Sequence, residues 1–239
     1  MATQVGAQML TKIEGGMGLL MGGTAGVQAA HVVILGAGTV GLSAAKVAMG
    51  MGARVTILDS NLFRLRQIDD LFGGRIQTLA SNAFNIAAAT KDADLLVGSV
   101  LIPGALTPKL VTEAMVKTMK PGSAIVDVAI DQGGCIEPTA KHGATYHDKP
   151  TFKYPVNGGE VVCYSVGNMP GAVARTSTFT LTNATMPYMV DLANKGWKKA
   201  CQDDKALARG INTYDGKVYF KGVSDALGYE LHCTCDILK

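Results

Sequence analysis

The sequence predicts an α/β protein with a doubly wound parallel sheet and a mostly helical C-terminal extension, and three observations carry that prediction. An apolar run at residues 32–35 leads into Gly36, Gly38 and Gly41 in G-x-G-x-x-G spacing, with the Ala-rich stretch 42–48 behind it. A second strand-like run, 54–58, ends in Asp59, 23 residues after Gly36. From His31 to Ile130 strand-like and helix-like segments alternate, an order that places parallel strands in a sheet with helices on both faces.

Taken in order, residues 3–13 carry helical spacing at Val5, Met9 and Ile13 and stop at Gly15-Gly16. Strand 32–35 is followed by a helix from Thr39, strand 54–58, helix 62–71, strand 76–80 and a helix near 85–90. An apolar strand over 95–102 runs to Pro103-Gly104. Thr107-Pro108 then supplies an N-cap and a proline at the first helical position, which predicts a helix over 109–119 stopped by Pro121-Gly122. Residues 124–130 form another buried strand, with Asp131 at its carboxyl end. Periodicity is lost over 132–159, returns as a strand over 161–166, and continues as a long helix over 178–199, capped at Ser177-Thr178 and kinked at Pro187. A short helix, a hairpin around Asp215-Gly216 and a helix from about Ser224 complete the chain.

The glycine run has the form of a dinucleotide-binding turn. Gly36 permits the tight turn, Gly38 lets a pyrophosphate approach the backbone, and Gly41 lets the helix pack on the strand, with Thr39 and Val40 completing the helix start that would hold the phosphates. A glycine-rich chain also uses such spacing for plain turns; the strand before it, the helix after it and the acid at position 59 favour the dinucleotide. Asp59 at the end of the second strand suits the adenosine ribose hydroxyls and would repel a 2'-phosphate, so NAD is expected over NADP. Arg64 and Arg66, just downstream, are the residues through which a 2'-phosphate would be held instead.

Composition narrows the class. The chain has 239 residues, 48% of them hydrophobic, enough to bury a substantial core. Its formal net charge of +3 is spread along the sequence without the basic, aromatic-studded patches of nucleic-acid binders. Residues 15–45 hold no Asp, Glu, Lys or Arg, but nine of them are glycine, so a bilayer-spanning helix is not expected. The first residues show no basic stretch ahead of an apolar core, so no secretory signal is expected. The five cysteines, Cys135, Cys163, Cys201, Cys233 and Cys235, are expected as reduced thiols of a cytoplasmic protein, and the Cys233-Thr234-Cys235 spacing suits neither a redox pair nor zinc; no metal site is expected. None of His31, His142, His147 and His232 sits in a chemical motif.

Three strings are more specific than the general pattern: GSVLIPGALTPKLVTEAMV (98–116), MKPGSAIVDVAIDQGGC (119–135) and NMPGAVARTSTFTLTNATMPY (168–188). Through them nearly the whole chain resembles the alanine dehydrogenase/pyridine nucleotide transhydrogenase family, and AIDQGG points to the dehydrogenase branch. The resemblance implies a Rossmann NAD-binding domain over 29–171, C-terminal helices over 172–239 that complete a substrate domain, and a remnant of the link to that domain over 1–28. It implies NAD-dependent, reversible oxidative deamination of L-alanine to pyruvate and ammonia, in a homo-oligomer, hexameric in the family. Gly36, Gly38 and Gly41 would face the pyrophosphate, Asp59 the ribose and Ser81 the adenine. Arg64 stands where the family often has lysine. Val100, Leu101, Val128, Asn168 and Met169 would flank the nicotinamide. Asp131 is the one family active-site acid in the chain, and it also stands out unaided, beyond a strand's carboxyl end with Gly133-Gly134 leaving room beside it. The family's substrate-holding arginine and lysine and its proton-transfer histidine belong to an N-terminal half that the chain is expected to lack, so L-alanine or pyruvate would bind only with that half. A non-catalytic NAD-binding module and a transhydrogenase-type subunit are the alternative readings.

Overall fold

Runs of apolar and β-branched residues build one sheet from strands β1 (His31–Leu35), β2 (Arg54–Asp59), β3 (Gln77–Ala80), β4 (Leu95–Gly98), β5 (Ala124–Asp127), β6 (Thr151–Val156) and β7 (Gly159–Tyr164). The structure is a computed structural model and describes residues 1–100 and 107–239. The strand order is β3-β2-β1-β4-β5-β7-β6. Every pairing is parallel except that of β6 with β7. The chain divides into two compact units, Met1–Met169 and Pro170–Lys239.

In the first unit the central strands are buried on both faces, which is why they read as continuous apolar runs. Successive side chains point to opposite sides. Val32, Ile34, Leu95 and Val97 join one core with Met9, Leu10 and Ala45, while Val33, Leu35, Leu96 and Ile125 join a second with Ile86, Val116 and Met119. The helices on these faces are α1 (Ala2–Met9), α2 (Thr39–Gly50), α3 (Leu62–Phe72), α4 (Ala83–Asp92), α5 (Glu113–Val116) and α6 (Glu137–His142). α1 lies hard against β4: a Cβ on Gly6 would fall 2.4 Å from Leu95 Cδ2. His31 is a structural residue at the amino end of the sheet, its Nδ1 2.9 Å from Asp92 Oδ2 and its Nε2 2.8 Å from Thr56 Oγ1.

Several expected elements differ. The first helix ends at Met9, and a short 3-10 turn, Lys12–Glu14, carries the chain to Gly15. The helix expected from Thr107-Pro108 begins instead at Glu113, N-capped by Thr112, because Val111 is held extended in a bridge to Ile136. The strand expected over 124–130 stops at Asp127, whose side chain accepts from Ala129 N–H and turns the chain into a 3-10 helix, Val128–Gln132. The supposedly irregular stretch 132–159 contains α6 and the edge strand β6, whose Pro155 is tolerated because β6 has a neighbour on one side alone.

The second unit contains α7 (Ala174–Asp203), α8 (Lys205–Ala208), a two-stranded hairpin of β8 (Thr213–Tyr214) and β9 (Lys217–Val218), and α9 (Lys221–Leu227). α7 starts before Ser177, which caps nothing and donates through Oγ to Pro170 O. Its break lies at Gly196 (φ 74°, ψ 159°) and not at Pro187, since the left-handed backbone there is one that glycine adopts freely. Cys233 and Cys235 are joined in a disulfide, contrary to the expectation of reduced thiols throughout, while Cys135, Cys163 and Cys201 are free and buried.

Candidate functional site

Strand order reverses direction between β1 and β4, and the carboxyl ends of those two strands form the crevice where open α/β sheets take ligands. Gly36 makes the turn out of β1 with φ 94°, its N–H donating to Leu58 O at 2.8 Å. Ser99, at the end of β4, places its Oγ 2.7 Å from Leu35 O and 3.1 Å from Gly36 O. The crevice walls are so close that a Cβ on Gly36 would fall 2.9 Å from Ser99 O and 3.1 Å from Val100 Cγ2. A Cβ on Gly41 would fall 1.9 Å from Gly36 O. Gly38 differs from both, because a Cβ there would meet nothing within 4 Å.

Two of the three glycines are therefore demanded by the protein's packing on itself, and the third leaves open space. That space lies at the start of α2, where Gly38 is the N-cap and no side chain caps the first turn. Thr39 and Val40 are exposed there. The first N–H groups of a helix lack intrahelical partners and carry the positive end of its dipole. The cradle fits a phosphate.

Asp59 closes β2 beside this turn. Its Oδ2 accepts from Ala37 N–H at 2.7 Å and its Oδ1 from Asn61 N–H at 2.8 Å. Asn61 N-caps α3 by accepting from Arg64 N–H at 3.1 Å. Arg64 reaches back over the turn, donating through Nε to Ala37 O at 2.7 Å. Ser81, just past β3, lies next to Asp59 and donates its N–H to Asp59 O at 2.9 Å.

A second group gathers at the carboxyl ends of β5 and β7. Asp131, exposed in the 3-10 turn, holds both carboxylate oxygens 3.3 Å from Asn168 N. Asn168 has φ 54°, and Gly167 before it leaves just the room needed, since a Cβ there would fall 3.1 Å from Asp131 Oδ1. Val128 is half-buried in the same turn. Met169 is only 6% exposed and belongs to the core, so its side chain faces the interior. Gly134 provides no spare room, since a Cβ there would fall 2.7 Å from Asp127 Oδ2, and Lys109 Nζ donates to the carbonyls of Gly133 and Gly134. The expected contact at Leu101 lies outside the described residues.

Asp127, Ser99 and Lys109 are the residues that reading the sequence missed. Asp127 is fully buried and accepts from Thr139 Oγ1 at 2.6 Å, Cys135 N–H at 3.1 Å, Ile136 N–H at 3.2 Å and Ala129 N–H at 3.2 Å. It thereby fixes the turn that carries Asp131. Burial pushes its pKa up, and the hydrogen bonds from Thr139 and the three backbone groups pull it part of the way back. A raised carboxyl pKa contributes stability that is full below the usual 3.8 and is lost as pH rises through the raised value. Relative to Asp127→Asn, which does not titrate, the wild type is expected to lose stability as pH rises from the usual 3.8 through the raised value. Denaturant titrations of both chains across that range check it, and a constant difference would contradict it.

Among the described residues no group of three or more His, Cys, Asp or Glu is arranged to hold a metal, and no helix is long and apolar enough to cross a membrane.

Comparison with known proteins gives concordant results. The family model described as "Alanine dehydrogenase/PNT, C-terminal domain" matches residues 2–221. An alanine dehydrogenase of Methanococcus maripaludis is 58% identical over 226 residues, covering 95% of this chain and 59% of its own length. One from Staphylococcus haemolyticus is 54% identical over 239 residues, covering 100% of this chain and 62% of its own. A solved L-alanine dehydrogenase superposes with a TM-score of 0.86 at 47% identity, over 95% of this chain and 61% of that one. A transhydrogenase from Sinorhizobium meliloti superposes less closely, with a TM-score of 0.59 at 28% identity over 74% of this chain and 49% of that one. The chain thus spans about 60% of the length of the curated relatives it matches.

Proposed function

Because the chain belongs to the alanine dehydrogenase/PNT family through that family's C-terminal domain, we propose that it is the NAD-binding portion of an alanine dehydrogenase-type oxidoreductase. The parent reaction is the reversible oxidative deamination of L-alanine to pyruvate and ammonia. The observation that carries the reading is the open cradle at Gly38, which packing within the protein does not explain and a dinucleotide's phosphates do.

Gly36, Gly38, Thr39, Val40 and Gly41 would hold the pyrophosphate, Asp59 the adenosine ribose and Ser81 the adenine, with Arg64 bracing the turn. Val100, Leu101, Val128, Asn168 and Met169 would border the nicotinamide, Met169 through its backbone. When bound, NAD supplies the hydride acceptor. Asp131 offers two carboxylate oxygens, both oriented by Asn168 N–H, to orient the substrate or exchange a proton with it. The groups that grip the substrate's carboxylate and carbonyl would come from the portion of the relatives that this chain does not span. The assembled enzyme would be a cytoplasmic homo-oligomer.

Titration calorimetry of the 239-residue chain tests the cofactor assignment. NAD is expected to bind more tightly than NADP, since a 2'-phosphate would meet the Asp59 carboxylate. Tighter NADP binding would overturn the assignment.

Association is expected as well. Within the second unit Phe179 is 61% exposed, Leu181 65% and Met189 60%, apolar side chains spread around α7 that leave surface for another chain to cover. Sedimentation at several concentrations should show self-association, and a monomer at every concentration would contradict it.

A further inference from the structure

Asp59 and Arg64 meet at a single residue, Ala37, each on one of the two peptides that flank it. Ala37 N–H donates to Asp59 Oδ2 at 2.7 Å, and Ala37 O accepts from Arg64 Nε at 2.7 Å. Ala37 is fully buried, so these bonds stand in for the water that its peptide groups would otherwise need. The preceding residue is anchored too, through Gly36 N–H on Leu58 O and Ser99 Oγ donating to Gly36 O. The anchoring stops at Gly38, where the backbone becomes exposed and the open cradle begins. The two charged residues are themselves tied together, because Asn61 donates its N–H to Asp59 Oδ1 and accepts Arg64 N–H on its own Oδ1.

We infer that Asp59 and Arg64 are positioning residues for the phosphate turn, gripping the two peptides that flank the Ala37 Cα, one each, and holding Gly38 and the start of α2 in binding-ready form before any ligand arrives. The inference rests on the NAD reading of this site and adds to it: Asp59 acts through the turn in addition to any bond with the adenosine ribose. A site already in its bound shape loses less affinity to ordering itself. Charged partners suit the task, since hydrogen bonds to a carboxylate or from a guanidinium are stronger than those between neutral groups. The grip also directs Arg64: its Nε is committed to the backbone oxygen of Ala37 and its Nη1 to the side-chain oxygen of Gln67, Oε1, at 3.1 Å.

The test compares NAD with an NAD analogue carrying 2',3'-dideoxyadenosine, which lacks both hydroxyls that a ribose-reading carboxylate would bond. Calorimetry is done on the wild type, Asp59→Ala and Arg64→Met. Asp59→Ala is expected to weaken the dideoxy analogue by about tenfold or more, and Arg64→Met to weaken NAD and the analogue by the same factor. An unchanged affinity of Asp59→Ala for the analogue would overturn the inference and confine Asp59 to ribose contact. A second readout needs no ligand. The Ala37 amide should exchange with solvent slowly in the wild type and at least tenfold faster in Asp59→Ala, at amides of neighbouring β1 that stay protected. Equal Ala37 exchange in the two chains would overturn the inference even if NAD failed to bind, and absence of NAD binding with the exchange difference intact would count against the cofactor reading alone.

Discussion

Gly41→Ala is expected to prevent the first unit from folding, whereas Gly38→Ala is expected to fold normally and lose its ligand. The new methyl at position 41 would sit 1.9 Å from Gly36 O and 2.9 Å from Ser99 Oγ. No side-chain rotation relieves a clash of Cβ with backbone, so α2 would have to lift off β1, opening the core that Ala44, Ala45 and Ala48 make with the sheet. Overpacking of a single site costs about 1–3 kcal/mol when side chains absorb it. A backbone separation costs more, against a typical domain stability of about 5–15 kcal/mol. At position 38 the backbone is extended (φ −71°, ψ −166°) and the methyl meets nothing, so stability should change by less than about 0.5 kcal/mol. The same methyl would occupy the space proposed for a phosphate, and NAD affinity should fall by at least about tenfold. Denaturant titration and calorimetry on both variants check the pair. Full NAD affinity in Gly38→Ala would remove the phosphate from that cradle.

The second large effect concerns turnover. The 239-residue chain alone is expected to form no NADH from L-alanine at alkaline pH, and to do so when supplied with the segment of a related enzyme that it does not span. Asp131 is the acid of the proposed centre, at the carboxyl ends of β5 and β7, and Lys109, the lysine beside its turn, has its ammonium committed to the carbonyls of Gly133 and Gly134. Groups that act as a unit fail together, so the loss should exceed the roughly 10² to 10⁴ typical of one acid-base residue. Complementation should be strongly reduced in Asp131→Asn. Robust turnover by the chain alone would contradict the proposed division of labour, and complementation indifferent to Asp131→Asn would take Asp131 out of the chemistry.

What the sequence made legible follows from which interactions are local. The strands at Val32, Val55, Leu95 and Ala124 were visible because burial on both faces requires unbroken apolar runs. The glycine turn was visible because its three requirements fall within six residues of one another. Asp127 was not visible: it reads as one position within a strand over 124–130, and its donors come from residues 129–139, which only the fold brings round it. The edge strand β6 was hidden by Lys153 and Pro155, the residues that an exposed edge permits. Thr107-Pro108 and Thr112 carry equally good capping side chains, and the choice of Thr112 was made by a distant partner, Ile136. Asp59 was singled out for the ligand, but its bond to Ala37 N–H depends on how closely β2 lies beside β1, a distance that no spacing in the sequence reports.

The central claim is that NAD sits at the carboxyl ends of β1 and β4, with its phosphates on the start of α2. Amide chemical-shift mapping of the 239-residue chain during titration with NAD tests this most directly. The largest shifts are expected at Gly38, Thr39, Val40 and Gly41, with further shifts at Asp59, Val100 and Asn168 and none around His31 and Arg54 at the opposite end of the sheet. Saturable shifts centred on His31 and Arg54, or no saturable shifts at all, would contradict it.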